Sequence, residues 1–262
     1  MTTNSHISWT THTWNPWQGC RKVSTGCKHC YAERLVEDRM GRDFKEIRRS
    51  SKTTFDAPLR WKEKAFVFTC SISDFFIEEA DAWRDEAWEI IRRTPHLTYQ
   101  ILTKRPERIA EHLPKTCFKC GVGLLDDYCE CPEAAKPWPN VWLGTSVEDQ
   151  KYAEIRIPQL VELPAKVHFL SCEPLLGPID FRDALPVWSK PSMGTLLNHI
   201  EWVIVGGESG PDFRPMDPRW AREIRAQCAA AGVPFFYKQG NGYRSEMNTF
   251  LDGKEYREMP QA

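Results

Sequence analysis

Six short apolar runs recur along this chain, and each ends in a cluster of polar residues. They are AFVFTC (65–70), LTYQIL (97–102), NVWLGT (140–145), KVHFLS (166–171), EWVIVGG (201–207) and VPFFYK (233–238). Each has the length and the β-branched or aromatic content of a strand buried on both faces. HISWTTHTW (6–14) reads as one more. The stretches between them carry helical periodicity. In DAWRDEAWEIIRR (81–93), Trp83, Ala87, Ile90 and Ile91 fall on one face. DPRWAREIRAQCAAAG (217–232) offers Asp217 as N-cap, Pro218 in the first turn and Gly232 as a stop. RPERIAEHL (105–113) places Pro106 where a first helical turn accepts it, and in EDQKYAEIRIPQLVEL (148–163) Pro158 is expected to kink or divide the helix. Strand and helix alternating in this way predict a parallel (β/α) barrel, partial or near-complete TIM type, of about six to seven units. A doubly wound open sheet is the alternative.

The strand ends converge on one mouth in such a barrel, and active sites are built there. The residues so placed are Ser71, Ser73 and Asp74; Thr103, Lys104 and Arg105; Thr145, Ser146 and Glu148; Ser171, Cys172 and Glu173; Gly206, Gly207, Glu208 and Ser209; and Lys238 and Gln239. Two segments interrupt the alternation, residues 115–139 and residues 182–200, and the tail predicts a hairpin about Asp252-Gly253. The 262 residues read as a single domain carrying 115–139 as an insert. No basic, apolar leader opens the sequence and no run of about 18 apolar residues occurs, so a cytoplasmic protein without a membrane span is expected. In that compartment ten cysteines point to metal rather than disulfides. Net charge is −1, which argues against a general nucleic-acid binder. Residues 21–52 nevertheless hold ten Lys or Arg against five Asp or Glu, either a phosphate-facing surface or a solvated helical face.

Three of the cysteines, Cys20, Cys27 and Cys30, lie together near the start, with Gly19 and Gly26 allowing a tight loop. A closed structural metal site uses four ligands. Three thiolates on a cubane cluster leave one iron free to bind something else. Zinc with His29 or His12 as a fourth ligand, and a cluster without radical chemistry, are the other readings. Four more cysteines, Cys117, Cys120, Cys129 and Cys131, fall within the insert as CFKCGVGLLDDYCEC. Four thiolates so close suit a tetrahedral zinc site, with an auxiliary iron–sulfur cluster as the alternative.

GCKHCYAER (26–34) resembles the cluster loop of radical S-adenosylmethionine (SAM) enzymes, where an often aromatic residue precedes the last cysteine. His29 holds that place and Tyr31 follows. The wider WNPWQGC (14–20) with GCKHCYAERL closely resembles a phage-associated three-Cys-motif family, itself similar to radical SAM proteins and spore photoproduct lyase. ILTKRPER (101–108), NVWLGTSVE (140–148), SCEPLLGPI (171–179) and VIVGGESGP (203–211) resemble the same family, so nearly the whole chain is covered. The resemblance implies a 4Fe–4S cluster on Cys20, Cys27 and Cys30, SAM bound at its free iron, and a 5′-deoxyadenosyl radical that abstracts hydrogen from substrate. The cofactor contacts expected around it are His29, Tyr31, Ser71 and Ser73, with Gly206, Gly207 and Glu208 as further candidates. The resemblance also implies a reductant such as flavodoxin or ferredoxin and a nucleotide or nucleic-acid substrate in DNA repair or modification.

Two departures bear on these expectations. Six residues separate the first two cysteines where radical SAM enzymes have three, and TCSISDFF (69–76) stands where a Gly-Gly-Glu is usual. VGGES (205–209) offers glycines and a glutamate after a later strand, either for the adenosine or as a turn needing glycine for its geometry. Lys104, Cys172 and Glu173 are candidates for chemistry: Glu173 as a base or substrate ligand, Cys172 (or Cys70) as a hydrogen donor, and Lys104, with Arg105 and Lys238, as a phosphate ligand. A thiol at a strand end is more often a small buried hydrophobe than a hydrogen donor. Trp14 and Trp17 are placed to shield a cluster or stack on a base. The rival functions are a zinc-dependent hydrolase or nuclease on the same barrel, and a noncatalytic metal-containing protein that binds nucleic acid.

Overall fold

The computed structural model describes residues 5–123, 129–131, 137–182 and 195–261. Seven parallel strands form one sheet: β1 (His12–Trp14), β4 (Ala65–Thr69), β5 (Leu97–Thr103), β6 (Val141–Ser146), β7 (Val167–Cys172), β8 (Trp202–Gly206) and β9 (Phe235–Gln239). A small antiparallel pair, β2 (Trp17–Gln18) with β3 (Arg48–Arg49), lies between the first two of them in sequence. The sheet order, β1-β4-β5-β6-β7-β8-β9, follows the chain without reversal. A doubly wound sheet reverses at a switch point, so that architecture does not apply. The sheet is instead curled and half closed, a partial barrel. Of the HISWTTHTW run, only its last three residues pair, in register His12↔Val67 to Trp14↔Thr69.

Both faces of the sheet are covered, which is why the runs are apolar throughout. The concave face holds Phe68, Trp142, Phe169, Trp202, Ile204 and Phe236, with Trp9 lying across them. Gly144 makes this packing possible, because a Cβ there would stand 2.5 Å from the Phe169 ring. The convex face carries the larger core, against α3 (Asp81–Arg93), α4 (Gln150–Val161) and α5 (Pro218–Ala231). Before these, α1 (Tyr31–Arg34) runs into a π-helical turn, Leu35–Arg39, and α2 is a single turn, Lys52–Phe55.

The helix signals mostly hold. On α3, Ala87, Trp88, Ile90 and Ile91 are buried. The Asp217 carboxylate caps α5 by accepting from the Arg219 amide, and Gly232 ends it at φ 69°. One expectation is narrowed and one changes. α4 runs undivided through Pro158, with Ala153, Ile157 and Leu160 buried on both sides of it. Residues 105–113 form two 3₁₀ turns, Pro106–Arg108 and Ala110–His112, not an α-helix. The tail makes the expected tight turn, Leu251 and Lys254 exchanging both backbone bonds around Asp252 and Gly253 at positive φ. Residues 183–194, most of the second interrupting segment, lie outside the described residues, and Leu196–His199 is a 3₁₀ turn. Among the described residues no helix is long and apolar enough to cross a membrane.

Candidate functional site

The segment from Gly19 to Tyr31 crosses the C-terminal ends of the sheet strands and is tied to four of them. Beyond β4, Ser73 Oγ donates to the Gly19 carbonyl at 2.6 Å, and the Tyr31 hydroxyl donates to the Ser71 carbonyl. Beyond β5, the Arg105 guanidinium donates to the Arg21 carbonyl at 3.0 Å. Beyond β6, Glu148 accepts from Ser24 Oγ at 2.6 Å, and Gly26 lies so close that a Cβ would stand 2.5 Å from the Glu148 side chain. Beyond β8, Glu208 Oε2 meets His29 Nδ1 at 3.2 Å, and Arg214 donates to the Thr25 carbonyl at 3.0 Å. The polar strand ends thus hold the three-cysteine loop in place.

Beneath the loop is a cavity of about 270 Å³. Cys20, Cys27 and Cys30 line it, with His29 and Tyr31 from the same segment. Ser71 and Ser73, Lys104, Glu173, and Gly207 and Glu208 join them from the strand ends. The predicted site residues therefore converge, with two exceptions. Cys172 packs on the convex side in the core that also holds Cys228, while its neighbour Ser171 faces the cavity. Alternation along β7 sends the two to opposite faces. Gly206 does not line the cavity either; it leaves room for Glu173, whose carboxyl carbon would stand 3.0 Å from a Cβ.

Several candidates already have partners. Both Glu208 oxygens accept from Arg214, the Oε2 at 2.9 Å from Nε. Burial pushes the Glu208 carboxyl up, but Arg214 and His29 outweigh it and hold it below the usual range. Gly207 is required by the backbone at Gly240–Asn241, 2.4 Å from where its Cβ would lie. Ser71 Oγ accepts from Asn15 Nδ2 at 3.0 Å. Lys104 pairs with the fully buried Glu148, and Lys238 donates to Glu173 at 2.7 Å. Trp14 and Trp17 are fully buried, donating to the Phe55 and Asp74 carbonyls, and are not available to stack on a base. The indole at the cavity is Trp9, whose N–H has no partner among the described residues. No motif announced it. His12 stacks on Trp61 and does not line the cavity.

Cys20 and Cys30 have hydrogen-bond donors, while Cys27 lies beside a hydroxyl whose hydrogen goes to Glu148. Arg105 Nη1 lies 3.8 Å from Cys20 Sγ, Ser24 Oγ lies 3.5 Å from Cys27 Sγ, and the backbone amides of Ala32 and Glu33 serve Cys30. Burial, with the Asp74 charge, pushes the Cys20 thiol up to about 12 against the opposing pull of Arg105. Burial raises Cys30 as well. Binding here therefore has to displace protons from both.

In the insert the four thiols form a tighter group. The sulfurs of Cys117, Cys120, Cys129 and Cys131 all lie within 4.8 Å of one another, a four-ligand site able to hold a metal ion. Tetrahedral zinc with bonds of about 2.3 Å sets its sulfurs about 3.8 Å apart, which fits this group. The Cys117–Gly121 turn closes through Gly121 N–H to the Cys117 carbonyl at 2.9 Å, with Gly121 at φ 77°. The amide of Cys120 holds the Cys117 thiol down at about 7. Phe118, Trp138 and Trp88 stack the insert against α3, with ring centroids 5.5 and 5.6 Å apart. Among the described residues no other set of potential ligands is so compact.

A family model described as a protein of unknown function (DUF5131) matches residues 4–260. No curated protein and no solved structure matches the chain.

Proposed function

The chain belongs to DUF5131, and we propose from its site that it is a radical-SAM-like iron–sulfur enzyme acting on a nucleotide or nucleic acid. One observation carries this reading. Three thiols of one short loop, tied down by the polar strand ends, line a cavity at the C-terminal mouth of a parallel half-barrel. Cys20, Cys27 and Cys30 would hold a 4Fe–4S cluster here, and with SAM it would supply radical chemistry.

The chain's own residues bind, orient and exclude water. Arg105 and the first amides of α1 hold the Cys20 and Cys30 sulfurs. Glu208 with Arg214 and Glu148 with Lys104 pin the loop over the cavity. Lys238 uses one donor on Glu173, leaving cation and carboxylate together at the cavity for a polar substrate group. Trp9, Phe68 and Leu102 form an apolar wall against which a flat ring packs. Of the basic segment 21–52, Arg21 and Lys22 line the cavity, and with Arg48, Arg49 and Lys52 they are paired with carboxylates, so only part of its charge is left for a phosphate backbone.

The four-thiol insert favours a second reading, because it is the most compact ligand set in the described structure. A zinc-dependent hydrolase or nuclease, or a noncatalytic metal protein that binds nucleic acid, needs no more than that site. Anaerobic purification with iron, sulfide and zinc analysis, followed by dithionite, SAM and chromatography, separates them. About four irons per chain, one zinc and release of 5′-deoxyadenosine are expected. Zinc without iron would sink the radical reading and leave the second.

A further inference from the structure

We propose that Arg105 is a positioning residue for Cys20, holding that sulfur in place and setting how readily the cluster is reduced. This rests on the reading that Cys20, Cys27 and Cys30 bind an iron–sulfur cluster. The buried guanidinium spans three groups. Nη1 lies 3.0 Å from Asp74 Oδ2 and 3.8 Å from Cys20 Sγ, and Nη2 donates to the Arg21 carbonyl at 3.0 Å. It thus grips both the side chain of Cys20 and the backbone that follows it.

Its own position is over-determined. The Arg105 amide donates to Thr103 Oγ1 at 2.9 Å. Asp74, its counter-ion, also accepts from Thr103 Oγ1 at 2.7 Å, the Lys104 amide at 3.0 Å and the Phe76 amide at 2.9 Å. A carboxylate with three other donors does not need Arg105 to be satisfied. The N–H groups turned toward the loop are therefore more than half of an ion pair. The three sulfurs are also unequal. Cys27 meets a hydroxyl, Cys30 meets amides with the Lys104 charge nearby, and Cys20 has a cation within hydrogen-bond distance of its sulfur.

Reduction adds one negative charge to a cluster, and hydrogen bonds to its sulfurs are among the levers that set its potential. A fixed cation at one sulfur favours the reduced form. Lysine would not replace it, because an ammonium is a point charge without the fork that reaches Cys20, Asp74 and Arg21 together.

The test uses the full chain, wild type and Arg105→Gln, reconstituted anaerobically with iron and sulfide. Iron per chain is measured first. The reduced fraction is then followed by absorbance and electron paramagnetic resonance at fixed dye-mediated potentials. Arg105→Gln should keep its iron while the ratio of reduced to oxidised cluster falls about tenfold at a given potential, ~59 mV for a one-electron couple. An unchanged ratio in an iron-loaded variant overturns the inference and leaves the cluster reading standing. A wild type that takes up no iron overturns both. Should Arg105→Gln lose its iron, Arg105→Lys decides: iron regained with a depressed ratio supports the role, and iron regained at the wild-type ratio overturns it.

Discussion

Glu148 is the residue on which the three-cysteine loop most depends. It has no exposed surface, yet it is charged, because Lys104, Arg156 and Ser24 all donate to it. Burial pushes its carboxyl up, and Lys104, Arg156 and Ser24 together hold it below the usual range. Glu148→Gln keeps the shape and leaves two cations facing a neutral amide. Breaking a buried pair in this way costs about 3–5 kcal/mol. The pH dependence has a definite sign. A depressed carboxylate contributes fully above its unfolded value of about 4.3 and loses that contribution as pH falls through the folded value. Urea midpoints should therefore separate the two proteins widely at neutral pH and draw together below about pH 4; a gap that persists in acid would show that the charge is not what matters. The sequence marks Glu148 as one polar strand end among six. Its partner Ser24 is 124 positions away, and no local pattern connects the two.

At the scale of elements, legibility follows the strength of the period. The six apolar runs became strands because burial on both faces allows no other residues there. α3 and α5 were readable from stripe and caps. The misreading lies where a local signal was taken too far: Pro106 starts a 3₁₀ turn, not an α-helix. Pro158 stays inside an undivided α4. The convergence of the strand ends was legible as well, but not which side chains already had partners: Glu208 is occupied by Arg214, six residues further on in a loop without periodicity. The insert is tied to α3, among the described residues, by Phe118, Trp138 and Trp88, and its four thiols make it the element most dependent on a ligand. Metal binding and folding are then one event. Cys120→Ala is expected to lose its zinc and expose 115–139 to protease, while the sheet keeps its thermal transition. Acidification should release the metal, because protons compete for the thiolates. Retained zinc in Cys120→Ala would show that the four-thiol assignment is wrong.

In the whole molecule one sheet separates two cores, and the site depends on both. The convex core positions the strands through α3, α4 and α5. The concave core fills the half-barrel, and its upper members Trp9 and Phe68 are also cavity wall. Trp202 is the hub of that inner core. It is fully buried, donates to the Glu258 carbonyl at 2.8 Å, and packs against Trp9, Trp142, Phe169 and Phe236 with centroids 5.9 to 6.1 Å apart. Trp202→Ala leaves a large hole that rigid strands cannot collapse around, a loss of about 3–5 kcal/mol. Because the same strands carry both cores, the loss should not create a separate unfolding step. Far-ultraviolet circular dichroism and tryptophan fluorescence should still report one coincident transition in denaturant, moved to a lower midpoint with an unchanged slope. An early fluorescence transition at constant ellipticity would mean that the inner core melts by itself. The cavity wall would then be a mobile lining, and the loop above it would be held by the strand ends alone.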